Sequence, residues 1–249
     1  MKTSLVSVTF RKKSLEEIVA LTKTAGLDAI EWGGDVHVPP TDPAAAAKAL
    51  ALCEENGLEI SAYGSYYRST NDEDFAPVLE TAIALKTDII RIWAGKGMTH
   101  SSQCSPEDRA IFTANIKKAV EMASAKGLIV ATECHPNTLT DDIDSTLQLL
   151  EDVPGLYTYW QPRHTQSIEE CLSDIRRLGK KCVNVHIFQR NAENKKVPLA
   201  DGKENWAAYL PEVKAVTDTR YVGIEFVMGD TDEQLYADAQ ITKELVNAL

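Results

Sequence analysis

No CxxC pair occurs in the chain, whose five cysteines, Cys53, Cys104, Cys134, Cys171 and Cys182, stand singly. An odd, scattered set argues against a disulfide framework and a zinc knuckle, and makes a reducing cytoplasm the expected compartment. Long apolar runs are missing too, so no segment reaches membrane-spanning length and no membrane partner is expected. The first strand-like run, Leu5-Val6-Ser7-Val8-Thr9-Phe10, follows no basic, apolar and cleavable leader. Positive charge is scarce: 26 Lys and Arg stand against 37 Asp and Glu, a formal net charge of −11. Nucleic acid is therefore an unfavourable partner, because affinity for a phosphate backbone comes from clustered Lys and Arg. A small neutral or metal-bound substrate fits better. The glycine-rich phosphate turn of a nucleotide-binding open sheet is also absent, since Thr9-Phe10-Arg11-Lys12-Lys13 stands where it would be.

What the chain does have is a recurrent pattern: a helix-like segment, then Gly-Leu, then a strand-like run. It occurs as GLDAIEW from Gly26, GLEISAY from Gly57, GLIVATE from Gly127 and GLYTYWQ from Gly155. Each Gly can end a helix in the left-handed region, and each run after it is rich enough in β-branched or aromatic residues for a strand. Helix starts are marked by Ser14-Leu15-Glu16-Glu17, Ser167-Ile168-Glu169-Glu170 and Thr231-Asp232-Glu233-Gln234, which read as capping boxes. Asp42-Pro43 and Ser105-Pro106 add a cap residue followed by proline. The spacing predicts strands near 4–9, 27–32, 58–63, 88–93, 128–133, 156–161, 182–187 and 221–227. It predicts helices near 14–24, 42–55, 72–86, 106–126, 140–151, 167–178, 204–216 and 231–247. Eight strand-helix units without a linker or low-complexity tract predict an α/β fold, a single (β/α)8 TIM barrel forming one domain over residues 1–249.

In such a barrel the active site lies at the C-terminal ends of the strands. Those ends carry Glu31 and Trp32, Tyr63, Arg91 and Trp93, Glu133 and His135, Gln161 and His164, His186, and Glu225. The carboxylates Glu133 and Glu225, the amide of Gln161 and the imidazole of His186 form a donor set for one divalent cation. Mn²⁺ is the first choice, with Mg²⁺, Co²⁺ or Zn²⁺ as alternatives. Gln161 reads equally well as a ligand or as a hydrogen-bonding group behind the ligands. His135, two residues after Glu133, shares its face and reads as a substrate or supporting residue. Glu31, Trp32, Tyr63 and Trp93 are candidate substrate-covering residues, Arg190 is a loop residue within reach of a substrate oxygen or carboxylate, and Arg91 reads as a buried partner of Glu31.

Taken together, these segments resemble the xylose-isomerase-like superfamily of sugar isomerases and epimerases, in particular the tagatose/psicose 3-epimerase type. The resemblance runs over nearly the whole chain. It rests on Gly26-Leu27-Asp28-Ala29-Ile30-Glu31-Trp32, Glu133-Cys134-His135-Pro136-Asn137, Val185-His186-Ile187, Gly202-Lys203-Glu204-Asn205-Trp206 and Glu225. It implies that Glu133, residue 161, His186 and Glu225 bind the metal, that Glu133 and Glu225 form the acid/base pair, and that His164 contacts substrate. The chain departs from the family in one place, carrying Gln161 where the family has Asp, which leaves two anionic ligands instead of three.

The resulting expectation is a metal-dependent isomerase or epimerase that removes a proton next to the carbonyl of a ketose or related polyol ketone. A lyase or dehydratase working by the same deprotonation is the alternative, and a non-catalytic sugar-binding barrel is the third reading. An apurinic endonuclease is rejected, because Tyr63 and Trp93 stand where extra zinc-binding histidines would be needed and the charge is wrong for DNA. The expected partner is a small carbohydrate, and the barrels this chain resembles are often homo-oligomers.

Overall fold

The computed structural model describes residues 1–98, 100–163 and 165–249. Its eight parallel strands close on themselves in chain order, and the last pairs with the first. They are β1 (Lys2–Val6), β2 (Ala29–Gly33), β3 (Glu59–Gly64), β4 (Ile89–Ile92), β5 (Ile129–Thr132), β6 (Leu156–Trp160), β7 (Cys182–Ile187) and β8 (Tyr221–Ile224). The helices between and after them are α1 (Leu15–Thr24), α2 (Pro43–Asn56), α3 (Ala76–Ala84), α4 (Pro106–Ser124), α5 (Ile143–Asp152), α6 (Ile168–Leu178), α7 (Lys203–Val216) and α8 (Asp232–Asn247). The expected (β/α)8 TIM barrel is thus present.

Local chemistry accounts for the boundaries. Gly26, Gly57, Gly127 and Gly155 all have positive φ, as the Gly-Leu repeat requires. Ser14 and Ser167 form reciprocal capping boxes with Glu17 and Glu170. At α8 only half of the box forms, because Thr231 accepts from the backbone of Gln234 while the Gln234 side chain turns to Asp238. Several boundaries differ from expectation by three or four residues, α5 starting at Ile143 and β8 ending at Ile224 among them, and two of the differences have a local cause. The first strand gives way to a 3-10 turn over Ser7–Phe10, and α3 begins at Ala76 because residues before it are held by Glu73, which accepts from the backbones of Arg68 and Thr70.

The main core lies between the barrel and its ring of helices, while the barrel floor is plugged by a small group that includes Ala62, Ile89, Ala131 and Tyr159. Two register shifts decide what faces inward above that plug. Ile30 pairs with Ile60 but Glu31 with Ala62, and Thr158 pairs with Cys182 but Tyr159 with Asn184. Each inserts one extra residue, and side chains alternate between faces along a strand. The second shift therefore sets Asn184 and His186 on the same inner face as Tyr159, where unbroken pairing would have offered Val183 and Val185.

Candidate active site

Above the floor plug, the barrel interior holds a fully buried ionic cluster. Arg91, 1% exposed, donates from Nε to Glu31 Oε1 at 2.7 Å and from Nη1 to Glu133 Oε2 at 2.6 Å. Its planar fork suits such bridging, since one guanidinium can serve two carboxylates at fixed angles. Room for the bridge comes from Gly64, paired with Arg91 in register: a Cβ there would lie 2.7 Å from Arg91 Nη2 and 2.8 Å from Glu31 Oε1. Burial alone would raise the carboxyl of Glu133, but Arg91 and His186 override it and hold it well below the usual carboxylate range.

His186 sits among three carboxylates. Its Nε2 is 3.3 Å from Glu31 Oε2, while Nδ1 is 3.4 Å from Glu225 Oε2 and 3.7 Å from Glu133 Oε1. Burial disfavours the imidazolium, yet Glu225 and Glu31 outweigh it and raise His186 well above its ordinary value. Three carboxylates facing one guanidinium leave two negative charges uncompensated when the imidazole is neutral, which is the charge of one divalent cation. Ligand atoms of Glu133, His186 and Glu225 all lie within 4.8 Å of one another. With Nε2–H donated to Glu31, the Nδ1 lone pair is left for a metal, and Nδ1 has no hydrogen-bond partner among the described residues.

Gln161 lines, together with Glu225, the cavity into which the cluster opens. Its Nε2 donates to the carbonyl of Cys134 at 2.8 Å. A carbonyl only accepts, so the amide orientation is fixed and Oε1 is turned away from it; that oxygen is buried and has no partner. The unpartnered Nδ1 of His186 beside Glu133 and Glu225 fits a divalent cation, and the unpartnered Oε1 of Gln161, from the strand end between them in chain order, is of the right chemistry to join it.

The cluster opens into a cavity of about 690 Å³ whose lining includes His135, Gln161, Arg163, Arg190 and Glu225. His135 Nδ1 lies 2.6 Å from the Pro136 carbonyl and must donate to it, so the neutral ring keeps its lone pair on Nε2. Its ring packs 4.1 Å from that of Trp93, which is itself stacked on Tyr66 and covered by the guanidinium of Arg68 at 4.0 Å. Immediately after Glu225, Phe226 is held at φ 62 with its N–H donated to Thr9 Oγ1, a backbone strain of the kind that clusters at functional sites.

The structure gathers Glu133, His186 and Glu225, and brings Gln161, His135 and Arg190 to the adjoining cavity, which Glu225 also lines. Glu31 is placed behind His186, where it orients the imidazole instead of lining the cavity. Trp93 stands at the rim, packed on His135. Trp32 and Tyr63 depart from the substrate-covering expectation. Each follows an inward residue, so alternation turns it to the helix layer; Trp32 is wholly buried beside His37, and the Tyr63 hydroxyl donates to the carbonyl of Val38. His164 lies outside the described residues. Sequence reasoning missed Asp141 and Arg163 in the cavity wall, which sit in loops and carry no spacing signal. It also missed the second half of the Arg91 bridge, to Glu133, although the inward parity of both residues could have suggested it.

A family model described as xylose isomerase-like TIM barrel matches residues 19–247. The chain is 31% identical to a 3-dehydroshikimate dehydratase of Bacillus anthracis, over 86% of this chain and 87% of that protein. Among solved structures, the probable 3-DHS dehydratase AsbF of Bacillus anthracis superposes with a TM-score of 0.81 at 23% identity, covering 98% of this chain and 99% of that one. A D-allulose 3-epimerase from a Methylomonas species gives a TM-score of 0.71 at 15% identity, with 98% of each chain covered.

Proposed function

We propose, for a chain that belongs to the xylose isomerase-like TIM barrel family, that it is a metal-dependent lyase that dehydrates 3-dehydroshikimate or a closely similar hydroxylated ring ketone. The observation that carries this reading is the 31% identity to a 3-dehydroshikimate dehydratase over 86% of the chain. It favours elimination, the alternative raised by the sequence, over epimerisation. A divalent cation at Glu133, Gln161, His186 and Glu225 would supply Lewis-acid polarisation of the ring ketone.

The residues suit an elimination that uses one base. Glu133 is poorly placed to take a proton, because one oxygen accepts from Arg91 and the other faces His186 Nδ1. His135 is on the same strand end, lines the cavity, and presents a free Nε2. In this reading His135 Nε2 takes the proton from the carbon next to the ketone. The C–O bond at the following carbon then breaks, and the imidazolium returns its proton to the departing hydroxyl, so that water leaves and the base is restored. For 3-dehydroshikimate, enolisation of the remaining ketone yields an aromatic dihydroxybenzoate, which makes the sequence irreversible.

The test is incubation of the Mn²⁺-loaded protein with 3-dehydroshikimate, following the ultraviolet absorbance of 3,4-dihydroxybenzoate. Product should form, and a chelator should abolish it. No aromatic product from that substrate, together with deuterium uptake from D₂O into ketohexoses, would replace the lyase reading with the epimerase one.

Gln161 supplies a further expected outcome. An Asp in its place adds a negative charge to a donor set whose charge a divalent cation already balances, and ligand charge is a main determinant of cation affinity. Gln161→Asp should tighten Mn²⁺ binding by roughly tenfold or more in calorimetry. Unchanged affinity would remove Gln161 Oε1 from the ligand set.

A further inference from the structure

We infer that Arg190 is the anion-binding residue of the cavity, selecting substrates that carry a carboxylate over neutral sugars; this rests on the lyase reading and specifies its substrate class. Two arginines line the cavity, and their surroundings differ. Arg163 is neutralised: Nη2 donates to Asp174 at 2.5 Å, and Nη1 donates to the Asp141 carbonyl at 3.0 Å and lies 3.6 Å from Asp142. Arg190 makes no ion pair with any described residue. Its side chain donates only to the carbonyl of Asn194, at 3.0 Å, and its guanidinium lies 5.7 and 5.5 Å from the rings of Phe188 and Phe226. Aromatic faces attract a cation without neutralising it and shield it from water, so the charge stays available and partly desolvated. A planar fork in that state matches a carboxylate.

The segment that carries Arg190 is built, not loose. Beyond β7 the chain turns back on itself, with an antiparallel bridge between Arg190 and Lys196 and a backbone bond from Asn191 to Lys195 at 3.0 Å. Trp206 of α7 anchors its base by donating to the Phe188 carbonyl at 3.0 Å, and Lys196 pairs with Asp230 in the loop after β8. Gln189 lies across Gly202, where any Cβ would collide with it. Ordering cost is therefore met in folding, before a ligand arrives. The metal-ligand end of the cavity agrees. With neutral Gln161 in place of an acid, a loaded site carries no net negative charge to repel an anionic ring.

The probes are 3,4-dihydroxybenzoate and catechol, which differ only by the carboxylate, measured by calorimetry on the Mn²⁺-loaded full-length protein. Wild type should prefer the carboxylate by roughly tenfold or more, the scale of a charge-assisted bidentate pair. R190Q should abolish that preference and raise KM for 3-dehydroshikimate more than it lowers kcat. R190K, which keeps charge but not the fork, should restore part of the preference. An unaltered preference in R190Q, or none in wild type, overturns the inference even if dehydration is observed. A preference lost in R190Q without dehydration by wild type keeps the anion site and removes the dehydratase reading.

Discussion

His135→Gln is expected to lower kcat for 3-dehydroshikimate by roughly 10²- to 10⁴-fold, the range for loss of a positioned general base. Mn²⁺ affinity should change little, because the proposed ligand atoms belong to other residues and the His135 ring makes no hydrogen bond to them, acting on Glu133 only electrostatically. KM should move little, since the lost interaction is with a proton in transit. His135 also packs on Trp93 at 4.1 Å, so a fall in activity could come from a disturbed wall. His135→Phe addresses this by keeping an aromatic ring against Trp93 while removing both nitrogens, and it should be as inactive as the Gln variant. If either variant retains wild-type kcat, the base lies elsewhere and Glu225 becomes the leading candidate. Glu225→Gln gives the contrast, because it should lose metal affinity and activity together, with activity partly recovered at high Mn²⁺.

The order of elements was legible because their signals are local. Capping at Ser14 and Ser167 and the left-handed Gly-Leu stops are properties of a few adjacent residues, and they placed most helix ends to within one or two positions. The strand ends that supply the buried cluster were legible for a related reason: Glu133, His186 and Glu225 are polar residues at the ends of largely apolar runs. Which face each residue occupies was harder. Trp32 and Tyr63 look like rim aromatics in the sequence, but they stand one position past Glu31 and Ala62, which face inward. The two register shifts are invisible locally, since a bulge is a relation between strands far apart in the chain. The role of Glu31 was obscured likewise, because its partners Arg91 and His186 are 60 and 155 residues away.

Arg91→Met should produce the largest loss of stability of any single change in the barrel interior. Among the described residues Arg91 is the one guanidinium in the cluster, and its removal leaves Glu31 and Glu133 buried with only the imidazole of His186 to face them. Breaking a buried pair from one side typically costs roughly 3–5 kcal/mol, because the remaining charge cannot reach water, and one imidazole shared with Glu225 cannot replace a bidentate guanidinium for two carboxylates. For a chain of this size that corresponds to a fall in melting midpoint of roughly 6–20 °C. Arg91→Lys should fall between Met and wild type, since a single ammonium keeps the charge but cannot hold both carboxylates in one plane. The measurement is calorimetry on chelator-treated protein, repeated with saturating Mn²⁺. A cation held by Glu133, His186 and Glu225 lowers the excess of negative charge that Arg91 otherwise offsets, and a ligand that binds only the folded state stabilises it. Mn²⁺ should therefore stabilise Arg91→Met more than it stabilises wild type. Equal stabilisation of both would mean that the guanidinium and the metal act independently, and the charge balance drawn from Glu31, Glu133, Glu225 and Arg91 would then be wrong.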